Sequence, residues 1–140
     1  MTSNFRIHKI LKDHSDFMGC FHVRDLPPFP SKFPTKIIIL VRGHWVSLYL
    51  KNEKECFYFD SFGGKIKNKK IIKYLYPHYS YIIFNSMKIQ HNKSILCGLY
   101  CTSFIKCVHN YSNYKKFLRL FSSKDLLSND VIAYNKSLFT

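Results

Sequence analysis

Between Cys97 and about Asn110, the residues Cys97, Tyr100, Cys101, Phe104, Ile105 and Val108 recur at helical spacing and form a nearly continuous apolar stripe. A helix of that kind has to be covered, so it belongs in the core. The chain of 140 residues is long enough for one domain and one such core, spanning residues 1–140. At 46% hydrophobic and 17% aromatic it is too apolar to be a disordered tail.

Material to cover the helix precedes it. Ile37 to Arg42 and Trp45 to Leu50 are rich in β-branched and aromatic residues and read as strands, as does Cys56 to Ser61. Gly63-Gly64 closes that pair, a lysine-rich helix is expected from about Ile66 to Tyr76, and Tyr81 to Asn85 reads as a further strand. Phe5 to Leu11 can form a short helix with Phe5, Ile7, Ile10 and Leu11 on its apolar side. The prolines of Leu26 to Pro30 hold an extended segment. Two more helices are expected near Asn113 to Phe121 and Asn129 to Leu138. The pattern implies an α+β domain: a central mixed or antiparallel sheet packed on the cysteine-bearing helix, with flanking helices.

Charge and cysteine usage narrow the function classes. Twenty-two Lys and Arg against eight Asp and Glu leave a net charge of +14. Such a field favours polyanionic partners, although an AT-rich genome that writes lysine freely produces the same excess. Lys65, Lys67, Lys69, Lys70 and Lys73 concentrate part of it, as a DNA contact or as a solvated helix face. The aliphatic runs are strand-sized and nothing near Met1 resembles a secretory signal, which points to an intracellular product. Five cysteines, an odd number, argue against a disulfide framework. The spacing Cys97-x3-Cys101-x5-Cys107-x-His109 matches no usual zinc pattern, so no metal is expected.

One combination carries chemistry. By the period-two rule His44, Val46, Leu48 and Leu50 share one face of a strand, and Cys56, Tyr58 and Asp60 share one face of the next. An odd-length connecting loop puts both sets on the same side, with His44 and Asp60 opposite or one diagonal step apart. A two-residue turn at Asn52-Glu53 would separate them, but it lacks the glycine such turns prefer. A carboxylate beside an imidazole fixes its tautomer and stabilises the imidazolium, as a general base requires. Cys97 opens the apolar helix, where unpaired amides and the helix dipole lower a thiol pKa. Gly98 would let a substrate backbone approach. The Cys97 amide and the Gln90 side chain could donate to an oxyanion.

Gly43-His44-Trp45, Tyr58-Phe59-Asp60-Ser61-Phe62-Gly63, Gln90 and Cys97-Gly98-Leu99-Tyr100-Cys101 together resemble the adenovirus protease (adenain) family, whose wider relatives are the ubiquitin-like-protein proteases. Leu11-Lys12-Asp13, Asp16 to Phe21 and Phe29 resemble that family's N-terminal region, so the likeness covers nearly the whole chain. It implies a papain-like fold in permuted chain order. It also implies Cys97 as nucleophile, His44 as base and then acid, Asp60 as the orienting acid (a glutamate in adenain) and Gln90 in the oxyanion hole. Trp45 would wall the site. The implied activity is a cysteine endopeptidase that cuts viral or virus-like structural precursors at glycine-containing sites. Removal of ubiquitin-like modifiers is the nearest alternative, and a basic nucleic-acid-binding module is the alternative of another class.

Further expectations come with the resemblance. The chemistry requires no cofactor. DNA stimulates adenain, and the charge leaves a similar role open here. Adenain is also activated by a peptide tethered through a disulfide, and this chain has no cysteine between Asp60 and Gln90 to receive one. The implied source is a small DNA virus, virophage or virus-like transposon. The implied sites of action are the virion and the host nucleus or virus factory.

Overall fold

The computed structural model describes residues 1–140. Its centre is a five-stranded mixed sheet of β1 (Phe17–His22), β2 (Thr35–Val41), β3 (His44–Leu50), β4 (Cys56–Phe59) and β5 (Ile83–Phe84), in that spatial order. The β2–β3 and β3–β4 pairs are antiparallel, whereas β1–β2 and β4–β5 are parallel. A two-residue turn joins β2 to β3, with Arg42 at φ 50° and Gly43 at φ 76°. That is the handedness which matches strand twist. The next connection, residues 51–55, has an odd length, and Leu48 pairs with Tyr58. His44 and Asp60 therefore lie at one end of the sheet, a diagonal step apart on the same side.

Period-two alternation gives the sheet two apolar faces. Ile38, Trp45, Tyr49, Phe57 and Phe59 pack on α3 (Cys97–Cys107) together with α1 (Asn4–Ile10), α4 (Tyr111–Arg119) and α5 (Asn129–Phe139). Ile37, Ile39, Val46, Leu48 and Tyr58 pack instead on α2 (Lys69–Leu75). Every residue of α3 from Cys97 to Ile105 is buried, so α3 is the pillar of the larger layer. Stacked Phe59 and Phe104 rings, 5.0 Å apart, join it to β4. Its other end is met by Lys36, fully buried, whose Nζ donates to Ile105 O at 2.7 Å. A cation there complements the negative end of the helix.

Several expectations need correction. Phe5 is 78% exposed and does not share the buried side of α1 with Ile7. Phe17 to His22, given no element by the sequence pattern, forms a strand because Cys20 and Phe21 find parallel partners in Ile38 and Ile39. The lysine-rich helix begins only at Lys69, where the Asn68 side chain caps it, so Lys65 and Lys67 lie in the loop before it. The strand expected over Tyr81 to Asn85 shrinks to Ile83–Phe84, since Asn85 is used as a side-chain clamp. No helix is long and apolar enough to cross a membrane.

Candidate active site

The two-residue turn before β3 sets His44 as the first residue of that strand, and Asp60 follows the last residue of β4. His44 Nε2 stands 2.7 Å from Asp60 Oδ1, with both side chains about one-fifth exposed (18% and 20%). That contact engages Nε2 and leaves Nδ1 for a second partner. Cys97 is the next group to act on the imidazole, and the two shift each other's pKa. Burial alone would lower the His44 pKa, but the bonds to Asp60 and Cys97 and their charges outweigh it and raise it to about 9.

Cys97 shows the same balance with the opposite sign. Burial pushes the thiol up, yet the His44 hydrogen bond, the backbone amides of Trp45 and Gly98, and the imidazolium charge pull it below its ordinary value. The other four thiols move the other way. Burial raises Cys20 to about 12 and lifts Cys56, Cys101 and Cys107 as well. All five cysteines are unpaired, and Cys97 alone has its thiol pKa pulled below the ordinary value.

Asp60 is held from several directions. Its Oδ1 also accepts from the Phe62 amide at 2.9 Å. Asn85 Oδ1 accepts from the Asp60 amide at 3.2 Å, while Asn85 Nδ2 donates to Asp60 O at 2.6 Å and Met87 O at 3.2 Å. The chain then turns at Gly63, φ 80°, where a Cβ would stand 2.8 Å from the backbone of residues 86–88. This close approach needs glycine twice over, for its torsion and for its missing side chain. Phe62 folds back on His44, with ring centroids 4.3 Å apart and planes at 17°, and so covers the imidazole.

Gln90 is buried, its amide oriented at both ends. Ser61 Oγ donates to Oε1 at 2.5 Å, and Nε2 donates to Ser94 O at 3.1 Å, which leaves one Nε2–H uncommitted. The Ile89 and Gln90 amides both bond Ser61 O, at 2.9 and 3.0 Å, fixing this segment beside β4. Sequence reasoning did not single out Ser61, Phe62 or Asn85 as site residues. Ser61 and Phe62 adjoin Asp60 in the quoted motif, and Asn85 is signalled only as a polar residue ending an aliphatic run.

Trp45 and Gly98 have a neighbour that the sequence did not suggest. The Trp45 indole is buried and donates to Thr2 O at 2.9 Å. Thr2 also fills the space over Gly98, where a Cβ would come within 2.4 Å of the Thr2 Cβ. The approach assigned to a substrate backbone at Gly98 is thus taken by the chain's own N-terminal segment, and Trp45 anchors that segment rather than forming an open wall. Lys65, Lys67, Lys69, Lys70 and Lys73 are all exposed. Lys65 and Lys67 border the cavity that contains His44 and Asp60, and Lys67, Lys69 and Lys70 border the neighbouring one. No three His, Cys, Asp or Glu side chains converge as a metal site would need.

No family model matches the chain, and no curated protein does. The likeness to adenain therefore rests on its short motifs, and the chemistry rests on the side chains described above.

Proposed function

We propose that the protein is a cysteine endopeptidase of the adenain type, with a papain-like arrangement in permuted chain order. The observation that carries this reading is the contrast among five thiols: Cys97 alone is pulled down, by an imidazole that a carboxylate steadies. In this reading Cys97 Sγ attacks the scissile carbonyl carbon. A C–S bond forms and the carbonyl π pair moves to oxygen. The free Nε2–H of Gln90 and the Cys97 amide, unpaired as first residue of α3, stabilise that oxyanion. The proton on His44 Nδ1 passes to the leaving nitrogen as the C–N bond breaks. Water then gives a proton back to His44 and attacks the thioester, and Sγ leaves. Asp60 accepts from Nε2–H and holds the ring in place.

The proposed substrates are structural precursors of a virus or virus-like element, cut at glycine-containing sites. Co-expression with the structural proteins encoded beside its own gene tests this, with wild type beside Cys97→Ala and new termini mapped by mass spectrometry. Termini following glycine that appear only with wild type support the reading. Identical termini in both, or cleavage confined to ubiquitin-like modifiers, overturns it.

A further inference from the structure

Beside the cavity holding His44 and Asp60 lies a second concavity, and the two share Val41, Lys67 and Asn68 along their border. The second is bordered by five cations from three parts of the chain. Arg24 comes from the turn after β1, Arg42 from the β2–β3 turn, and Lys67, Lys69 and Lys70 from the approach to α2 and its first turn. All five are exposed, and no carboxylate borders this groove. Asp60, the one acid in the adjoining cavity, is already committed to His44 and the Phe62 amide. Five neighbouring positive charges without counter-charges select an anionic occupant.

We infer that this groove is a subsite for acidic side chains of the peptide substrate, C-terminal to the scissile bond. The inference rests on the endopeptidase reading. His44 must protonate the leaving nitrogen, so the part of the substrate beyond that nitrogen passes along the edge of the imidazole that Phe62 leaves open. From there the shared border of Lys67 and Asn68 leads it into the cationic groove. A peptide suits the groove better than a nucleic acid does. No Phe, Tyr or Trp borders it to stack a base, its one ring being the His22 imidazole that accepts from the Arg24 amide, and the basic surface continues into the cavity that holds His44 and Asp60.

The test uses full-length Cys97→Ala protein and two fluorescent glycine-containing peptides, identical except for three Glu or three Gln after the glycine. Anisotropy titrations at low salt should show the Glu peptide binding about 10-fold more tightly, with the gap closing as salt rises. Arg42→Glu with Lys67→Glu should abolish that gap. Lys9→Glu with Lys12→Glu, which carries the same reversal into a different cavity, should leave it intact. Equal binding of the two peptides overturns the inference, as does loss of the gap in both reversal variants. Displacement of the Glu peptide by an oligonucleotide of equal charge at lower concentration also overturns it, in favour of nucleic acid. Glu-selective binding without cleavage of either peptide by wild type would count against the endopeptidase alone, and cleavage without Glu preference against the groove alone.

Discussion

Asn85 grips the backbone of Asp60 on both sides, accepting from its amide at 3.2 Å and donating to its carbonyl at 2.6 Å. Asp60 sits beyond the end of β4 and has no ladder partner there, so this side chain does for it what a neighbouring strand would do. Asn85→Leu keeps the branching and the number of heavy atoms and removes those bonds, leaving buried polar groups unpaired. It should destabilise the fold by about 1–3 kcal/mol in urea denaturation. The proposed peptidase activity should fall as well, because the carboxylate facing His44 is no longer fixed.

Thiol chemistry gives the most direct check. Iodoacetamide at pH 6 should alkylate Cys97 ahead of Cys20, Cys56, Cys101 and Cys107, since only Cys97 is held below its ordinary pKa. Peptide mapping after partial labelling reads the order directly. Preferential labelling of Cys20 would contradict the assignment.

The pH dependence follows from the signs of the two shifts. The reactive pair needs Cys97 deprotonated and His44 protonated. Activity should therefore rise as pH passes the lowered Cys97 pKa and decline as His44 loses its proton near pH 9. Asp60→Ala removes the largest influence that raises His44, so the alkaline limb should shift to lower pH. A kcat/KM profile whose alkaline limb stays in place in Asp60→Ala would argue against this coupling.

Gln90→Ala should lower kcat by roughly 10²-fold or more with little change in KM, as expected of an oxyanion donor. Ser61→Ala should reproduce part of that loss, because Ser61 fixes which end of the amide carries the free N–H. Steady-state kinetics of the two variants and their double mutant would show non-additive losses.

Gly98→Ala places a methyl group where the Thr2 side chain already sits. The overpacking should cost about 1–3 kcal/mol, measured by chemical denaturation. In a Thr2→Gly background the cost should shrink, since the clash is with the Thr2 side chain. Equal costs in both backgrounds would mean that the N-terminal segment does not press on Gly98.

The helix that carries Cys97 was legible because its apolar stripe leaves no other arrangement, and the structure confines it to Cys97–Cys107. The shared face of His44 and Asp60 was legible from the alternation and from the absence of glycine at Asn52-Glu53. What could not be read depends on contacts between distant segments. The parallel strand Phe17–His22 is defined by its partners in β2, and the register shift between Phe17 and Gly19 interrupts the alternation that would mark it. The late start of α2 reflects an Asn68 cap set deep in a run of lysines. Asn85 at Asp60 and Thr2 at Gly98 are tertiary meetings across 25 and 96 positions of chain, on which local pattern is silent.

His44 belongs to the sheet face that packs on α2, whereas Cys97 heads the helix pressed against the opposite face. Sulfur and imidazole thus meet across the seam between two halves of the molecule, and their proton partnership reports on how tightly that seam is shut. Gentle heating or mild denaturant that parts the halves should extinguish the rapid alkylation of Cys97 while circular dichroism still records a folded chain.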